Sequence, residues 1–245
     1  MSEPLFYSEQ LAEPGATLML TGDEAHHAAA ARRLHVGDTL WLFDGHGGIA
    51  RTTLLRTTAR GRTLELRIEE RRIEPPPKPA IHLACALPKG DRQNALLDMA
   101  TQLGMTRFTP LDCARSVVRP GANSLARWRK ICLEACKQSR RLHLPAIEAN
   151  STAPDVARRA IAVGSQAWLA HPAAQAVSVT AAINQRVNDV TLLVGPEGGF
   201  TEAEIEQAVA AGARPLTLGV SILRIETAAV ALVAAFALAA GSNAA

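Results

Sequence analysis

The chain has 245 residues, 48% of them hydrophobic and 20% charged, and 26 Lys/Arg against 23 Asp/Glu give a formal net charge of +3. This composition can bury a sizeable core and excludes global disorder, and the length suits one large domain or two modest ones. Four scattered cysteines (Cys85, Cys113, Cys132 and Cys136) without CxxC spacing argue against a disulfide framework or a zinc site, so no metal is expected.

In chain order, Glu24–Leu34 reads as a helix. Thr39–Phe43, Ala50–Thr57 and Thr63–Ile68 read as short strands, with Asp44-Gly45, Gly47-Gly48 and Gly61 supplying turns. Residues 1–74 thus form a small β-rich module, expected to be a barrel. Glu74-Pro75-Pro76-Pro77-Lys78-Pro79 then interrupts any helix or central strand, and 75–79 is a stiff linker. From residue 80 to 245 strands and helices alternate. Ile81–Leu87 is a strand, Asp91–Leu103 a helix closed by Gly104, Phe108–Leu111 a strand and Ser124–Arg141 a long basic helix. Ala167–Ala170 and Val190–Val194 are strands, with a helix expected over Ala173–Asn184. Glu202–Ala211 is a helix ended by Gly212, Pro215–Leu218 a strand and Glu226–Ala240 the closing helix. Such alternation implies a mostly parallel sheet covered on both faces.

The apolar run Thr227 to Ala240 is too short to span a bilayer and reads as a buried helix. No basic-then-apolar leader opens the chain, so a reduced, cytoplasmic setting is expected. Residues 1–74 carry nine basic against eleven acidic side chains, whereas 75–245 carry seventeen against twelve. Positions 115–141 hold Arg115, Arg119, Arg127, Arg129, Lys130, Lys137, Arg140 and Arg141, with Glu134 the only acid. This local excess fits a polyanion partner, and a solvated helix face is the alternative.

Two strand ends bear glycine. Leu192-Leu193-Val194-Gly195-Pro196-Glu197-Gly198-Gly199-Phe200 is followed by Thr201-Glu202-Ala203-Glu204, a capping box that fixes a helix start. Leu216-Thr217-Leu218-Gly219 leads through Ser221 into the last helix. Paired strand ends of this kind build a crevice in open α/β sheets. Glycine lets backbone approach a ligand closely, although spacing alone leaves an ordinary strand-to-helix turn equally open. No GxxxxGK[ST], GxGxxG, GxSxG or HExxH pattern occurs, so nucleotide-binding, serine-hydrolase and zinc-protease templates find no support.

The stretch VGPEGGFTEAEI, followed by LTLG, ILR and ETA, resembles the signature of the SPOUT class of methyltransferases. More narrowly, it is similar to the family of bacterial 16S rRNA uracil-1498 N3-methyltransferases. The likeness covers nearly the whole chain. His26-His27, Arg33-Leu34-His35-Val36-Gly37-Asp38 and Phe43-Asp44-Gly45 are similar to the family's N-terminal PUA-like barrel. Gln102-Leu103-Gly104, Pro110, Arg115-Ser116, Arg127-Trp128, Glu134-Ala135-Cys136-Lys137-Gln138-Ser139, Arg141 and Pro145 follow its order.

The resemblance implies an α/β domain with a deep trefoil knot, a device otherwise almost absent from proteins. It implies a homodimer with the knot at the interface. It also implies S-adenosylmethionine held by three loops, Leu169–Pro172, Val194–Gly198 and Leu218–Leu223. The cofactor residues carried over are Leu169, His171, Val194, Gly195, Pro196, Glu197, Gly198, Leu218, Gly219, Ile222, Leu223 and Thr227. Glu197 is a candidate base or a loop stabiliser. Arg224 is a candidate for stabilising anionic uracil or contacting RNA, with pairing to Glu226 as the alternative. Arg33, Arg115, Ser116, Arg127, Gln138, Arg140 and Arg141 are the implied RNA contacts. Gly195→Val is expected to abolish cofactor binding with little loss of fold.

The chain departs from the family pattern in three places. Met1–Tyr7 contains no arginine, Val220-Ser221 stands where a basic pair is usual, and Leu142 replaces a frequent asparagine. These changes leave the cofactor loops intact and bear on the RNA target. Action on another RNA, or a non-catalytic role in ribosome assembly, therefore stays open at this level.

Overall fold

A computed structural model describes residues 3–31, 34–58, 63–172, 176–185 and 189–242. The chain divides into two compact units, Met1–Pro76 with Cys136–Leu144, and Pro77–Ala135 with Pro145–Ala245.

In the first unit β1 (Leu5–Tyr7) and β2 (Thr17–Thr21) precede α1 (Gly22–His26), which runs into a π-helical turn at His27–Ala31. Strands β3 (Thr39–Phe43), β4 (Gly48–Thr58) and β5 (Thr63–Ile73) complete a sheet of order β1-β3-β4-β5-β2, parallel only between β1 and β3. Alternation builds its core: Leu64, Leu66 and Ile68 are buried at every second position of β5, while Arg67 and Glu69 face out. Leu40, Leu42 and Leu54 join this face beneath Ala25 and Ala28. Bulges between Arg51 and Thr52 and between Leu54 and Arg56 sharpen the twist of a half-barrel whose edges are β1 and β2.

Residues 136–144 join this unit through buried contacts that no sequence pattern announced. Lys137 Nζ lies 2.7 Å from Glu24 Oε1, with the two side chains only 8% and 16% exposed. Leu144 N–H donates to the Gly45 carbonyl and Gly47 N–H to the Leu142 carbonyl. Gly47 has φ +98°, and a Cβ there would run into the Glu74 carbonyl and the His143 ring. Only glycine fits.

The second unit contains β6 (Ile81–Cys85), α2 (Arg92–Gln102), β7 (Met105–Pro110) and α3 (Ser124–Ser139), whose residues from Cys136 on pack with the first unit. There follow β8 (Ala146–Ile147), α4 (Ala153–Ala162), β9 (Gln166–Ala170), β10 (Val177–Ser178), α5 (Val179–Ile183), β11 (Val190–Val194), α6 (Glu202–Ala210), β12 (Arg214–Thr217) and α7 (Ile225–Ser242). The sheet runs β10-β12-β9-β11-β6-β7-β8, and every pair is parallel. Helices cover both faces. Leu83, Cys85, Trp168, Leu192 and Val194 pack with residues of α2 and α7, whereas Ala84, Leu169 and Leu193 pack with residues of α4 and α6.

Among the departures from the sequence expectation, three stand out in the second unit. Helix α4 was not anticipated, although the Thr152 hydroxyl accepts a hydrogen bond from the Asp155 N–H and Pro154 stands in the first turn, both ordinary start signals. The helix expected over Ala173–Asn184 shrinks to the five residues of α5 behind a two-residue strand; 173–175 lie outside the described residues. The closing helix is buried along one stripe only, Ile225, Ala229, Leu232, Val233 and Phe236, while Leu238 is 72% exposed. Its spacing is that of a helix packed on one side. Among the described residues no helix is long and apolar enough to cross a membrane.

Replacing Glu24 by Ala takes a carboxylate from beside the buried Lys137 ammonium, which should cost about 3–5 kcal/mol. Thermal unfolding measures this, and a loss below about 1 kcal/mol would show the pair behaving as an exposed one. A second expectation concerns acid stability. Half-buried His82 lies 2.8 Å through Nε2 from Thr109 Oγ1, which in turn donates to Glu148 Oε2. Burial pulls the pKa of His82 down from 6.5 to about 4, against the opposing pull of Glu148. Between those values the unfolded chain binds more protons, so stability falls as pH drops through that window. Urea unfolding from pH 7 to 4 should show a shallower acid loss in His82→Gln than in the parent.

Candidate functional site

Strands β12, β9 and β11 are sheet neighbours and run parallel, so the loops leaving their carboxyl ends emerge side by side. Together these loops enclose a cavity of about 420 Å³, at the usual ligand position of an open α/β sheet.

Ten of the sequence-derived cofactor residues line it: His171, Val194, Gly195, Pro196, Glu197, Gly198, Leu218, Gly219, Ile222 and Leu223. Two do not. Leu169 is fully buried against the α4 and α6 side, because strand alternation turns it away from the rim. Thr227 is exposed, and α7 lines the cavity with Ile225 and Ala228, three residues apart on one helix face. Arg224 is exposed on the segment just before α7 and is absent from the lining. Phe200, Thr217 and Arg115 line it without having been singled out for that position.

The glycine loop is held from several directions. Gly199 (φ +70°) donates its N–H to the Pro196 carbonyl at 2.8 Å, closing a tight turn. The capping box forms as the sequence implies: Thr201 Oγ1 accepts from the Glu204 N–H, and Glu204 Oε2 accepts from the Thr201 N–H at 2.7 Å. Glu204 Oε1 also accepts from the Ala114 N–H at 2.8 Å. Burial pushes the Glu204 carboxyl up, but these backbone hydrogen bonds outweigh it and hold its pKa below the ordinary value. Arg115 Nη1 donates to the Gly198 carbonyl at 2.8 Å and to the Phe200 carbonyl at 3.4 Å.

Gly195 is required for packing inside the protein. A Cβ there would lie 2.8 Å from Cε2 of buried Phe200. The expectation that Gly195→Val spares the fold is therefore corrected, since its first clash is with the core.

Two carboxylates meet one cation beside the cavity. Arg92 Nη2 lies 2.9 Å from Glu197 Oε1, and Nη1 lies 3.7 Å from Glu226 Oε1. Glu226 thus pairs with Arg92 rather than with Arg224. Sequence reasoning missed Arg92, because nothing local connects residues 92, 197 and 226.

Much of the basic segment is engaged within its own unit. In the second unit Arg127 Nη2 donates to Gln93 Oε1 at 2.8 Å, Arg119 pairs with Asp112, and Ser116 Oγ accepts from the Cys113 N–H. Arg129 and Lys130 are exposed. In the first unit Arg140 (φ +59°) ends α3 and donates to the Glu3 carbonyl at 2.7 Å, and Gln138 is exposed. Arg141 is half-buried, and burial pulls its pKa below the ordinary arginine value. Arg33 lies outside the described residues. All four cysteines are buried, and burial pushes the Cys85 and Cys113 thiols up. Among the described residues no three His, Cys, Asp or Glu side chains are grouped to hold a metal.

The class follows from family models. Residues 74–237 match one described as an RNA methyltransferase domain, and residues 20–62 match an RNA methyltransferase PUA domain. Proteins named ribosomal RNA small subunit methyltransferase E are similar along most of the chain. The one from Mycobacterium bovis is 34% identical over 92% of this chain and 87% of its own length, and that from Bacillus subtilis is 30% identical over 90% of each. A solved structure of the Neisseria gonorrhoeae enzyme of that name, bound to S-adenosyl methionine, has a TM-score of 0.84 at 28% identity and covers 96% of each chain. A Legionella pneumophila methyltransferase solved with bound SAM also has a TM-score of 0.84, at 27% identity over 99% of this chain and 98% of its own. The chain belongs to the ribosomal RNA small subunit methyltransferase E family.

Gly195→Ala should cost about 1–3 kcal/mol of stability, the range for overpacking, because Phe200 must shift. Denaturant unfolding tests it, and an unchanged midpoint would show that Phe200 yields freely.

Proposed function

We propose that this chain transfers a methyl group from S-adenosylmethionine to N3 of a uridine in 16S rRNA of the small ribosomal subunit, at the position equivalent to 1498. The observation that carries this reading is the convergence of three strand-end loops on one cavity, in a chain of this family. The cavity's size falls within the usual range for small-molecule sites, about 300–1,000 Å³.

In this reading the ten lining residues named above hold the cofactor, which when bound supplies a methyl group activated on a positively charged sulfur. The residues of the chain do the rest. For uracil N3 to accept the methyl group that the cofactor would release from its sulfur, the proton on N3 must leave. Glu197, at the loop apex and half-exposed, is the group assigned to accept it, directly or through water. General-base help of this kind is worth roughly 10²–10⁴-fold. Arg224 is assigned to the uracil, where its charge favours the N3 anion. Arg115, Ser116 and Arg127 on one unit and Gln138, Arg140 and Arg141 on the other are assigned to the RNA, with Arg33 added from sequence.

The domain division at residues 75–79, the trefoil knot and the homodimer belong to the same proposal. The exposed apolar side chains Val220, Ile222 and Leu238 support pairing with a second copy.

Primer extension on 16S rRNA from a deletion strain and its complemented control tests the target. The stop should vanish on deletion and return on complementation; a stop that survives deletion refutes the assignment. Arg224→Ala should lower methyl transfer by at least about tenfold while leaving S-adenosylmethionine affinity unchanged, since its effect is placed in the transition state. Single-turnover assays and calorimetry separate the two.

A further inference from the structure

Arg92 is the first residue of α2, where a cation opposes the helix dipole. Its guanidinium reaches two carboxylates on separate segments that supply cavity-lining residues, Glu197 at 2.9 Å, itself in the lining, and Glu226 at 3.7 Å, beside lining residue Ile225. Glu197 sits in the loop after β11, and Glu226 stands in the first turn of α7. The Glu226 side chain is 12% exposed, and its Oε2 is buried with no hydrogen-bond partner among the described residues. A carboxylate so withdrawn from water is costly to hold unless a cation answers it. Arg92 is that cation, and it does not itself line the cavity.

We infer that Arg92 is a positioning residue of the methyl-donor site: by holding Glu197 and Glu226 on one planar fork, it keeps the glycine loop registered against the start of α7. The inference rests on reading the cavity as the S-adenosylmethionine site. The two carboxylates belong to segments far apart in sequence, and each of these segments supplies lining residues. Fixing their separation fixes the width of the cavity between them. A lysine keeps the charge but places its three donors on one nitrogen, which spans the two partners less well than the two separate guanidinium nitrogens.

The test is calorimetric titration of the full chain with S-adenosylmethionine, together with thermal unfolding and kcat and KM, for the parent, R92K, R92A, E226Q and R92A/E226Q. Arg92→Ala should weaken cofactor affinity by roughly tenfold or more, the scale on which displaced positioning groups act. It should raise the KM for S-adenosylmethionine more than it lowers kcat. Arg92→Lys should fall between Ala and the parent, and adding Glu226→Gln to Arg92→Ala should recover part of the loss. Folded Arg92→Ala with parental affinity would overturn the inference. If Arg92→Ala does not fold, Arg92→Lys decides: parental affinity in that variant overturns the inference, and a several-fold loss supports it. A parent chain with no measurable affinity would sink the cofactor reading instead. The clamp would then be judged by unfolding alone, where additive effects of R92A and E226Q would refute it and a coupled effect would uphold it.

Discussion

The second unit depends on one strand being dry on both sides. All five residues of β11 are buried, with Leu192 and Val194 facing one helical layer and Leu193 the other. Such a strand has no polar face on which to place chemistry, so its functional groups must hang from its ends. Its start is pinned by Asp189, whose Oδ1 accepts from the Ala80 N–H at 2.8 Å and whose carbonyl accepts from Gln166 N–H. Its end is tied to β6 by the Ala86 N–H donating to the Val194 carbonyl. With register set at both ends, the glycine loop must begin at Gly195.

The loop is then braced by contacts that act through its backbone and its one acidic side chain. Glu204 joins it to Ala114, Arg115 takes the Gly198 and Phe200 carbonyls, and Arg92 takes Glu197. Phe200 closes the space where a Gly195 side chain would sit. Individually, partly exposed contacts of this kind are worth about 1 kcal/mol or less. Converging on six residues, they give a preorganised rim at little cost in stability, since the core beneath is made of separate apolar contacts.

The basic segment 115–141 changes meaning once folded. Its sequence suggests one continuous cationic surface, but Lys137 is buried against Glu24, Arg140 holds the Glu3 carbonyl, Arg127 holds Gln93 and Arg115 holds the loop. Counting charges therefore overstates how much of the segment is a freely solvated face; apart from buried Lys137, these cations would meet a polyanion from positions already fixed by contacts within the protein. Burying a lysine beside a glutamate spends both charges on the protein itself. Arg129 and Lys130 remain exposed on α3.

By sequence alone this chain declared its class, its alternating second unit, the capping box and the two glycine strand ends. Each of these is encoded within a few residues: apolar runs of strand length, a threonine three residues before a glutamate, a glycine where a strand stops. The short strands β1 and β2, the true length of α5 and the start of α4 were less legible, because two- to five-residue elements carry little periodicity. Tertiary structure alone decided that Leu169 faces the core and His171 the cavity, that Glu226 answers Arg92 rather than Arg224, and that Gly195 is required by Phe200. Those outcomes depend on which strands become neighbours, and β12-β9-β11 is an order that joins residues 166, 190 and 214 through long-range pairing. Local propensity has no access to contacts made across such separations, so the walls of the cavity could be named from sequence but not their bracing.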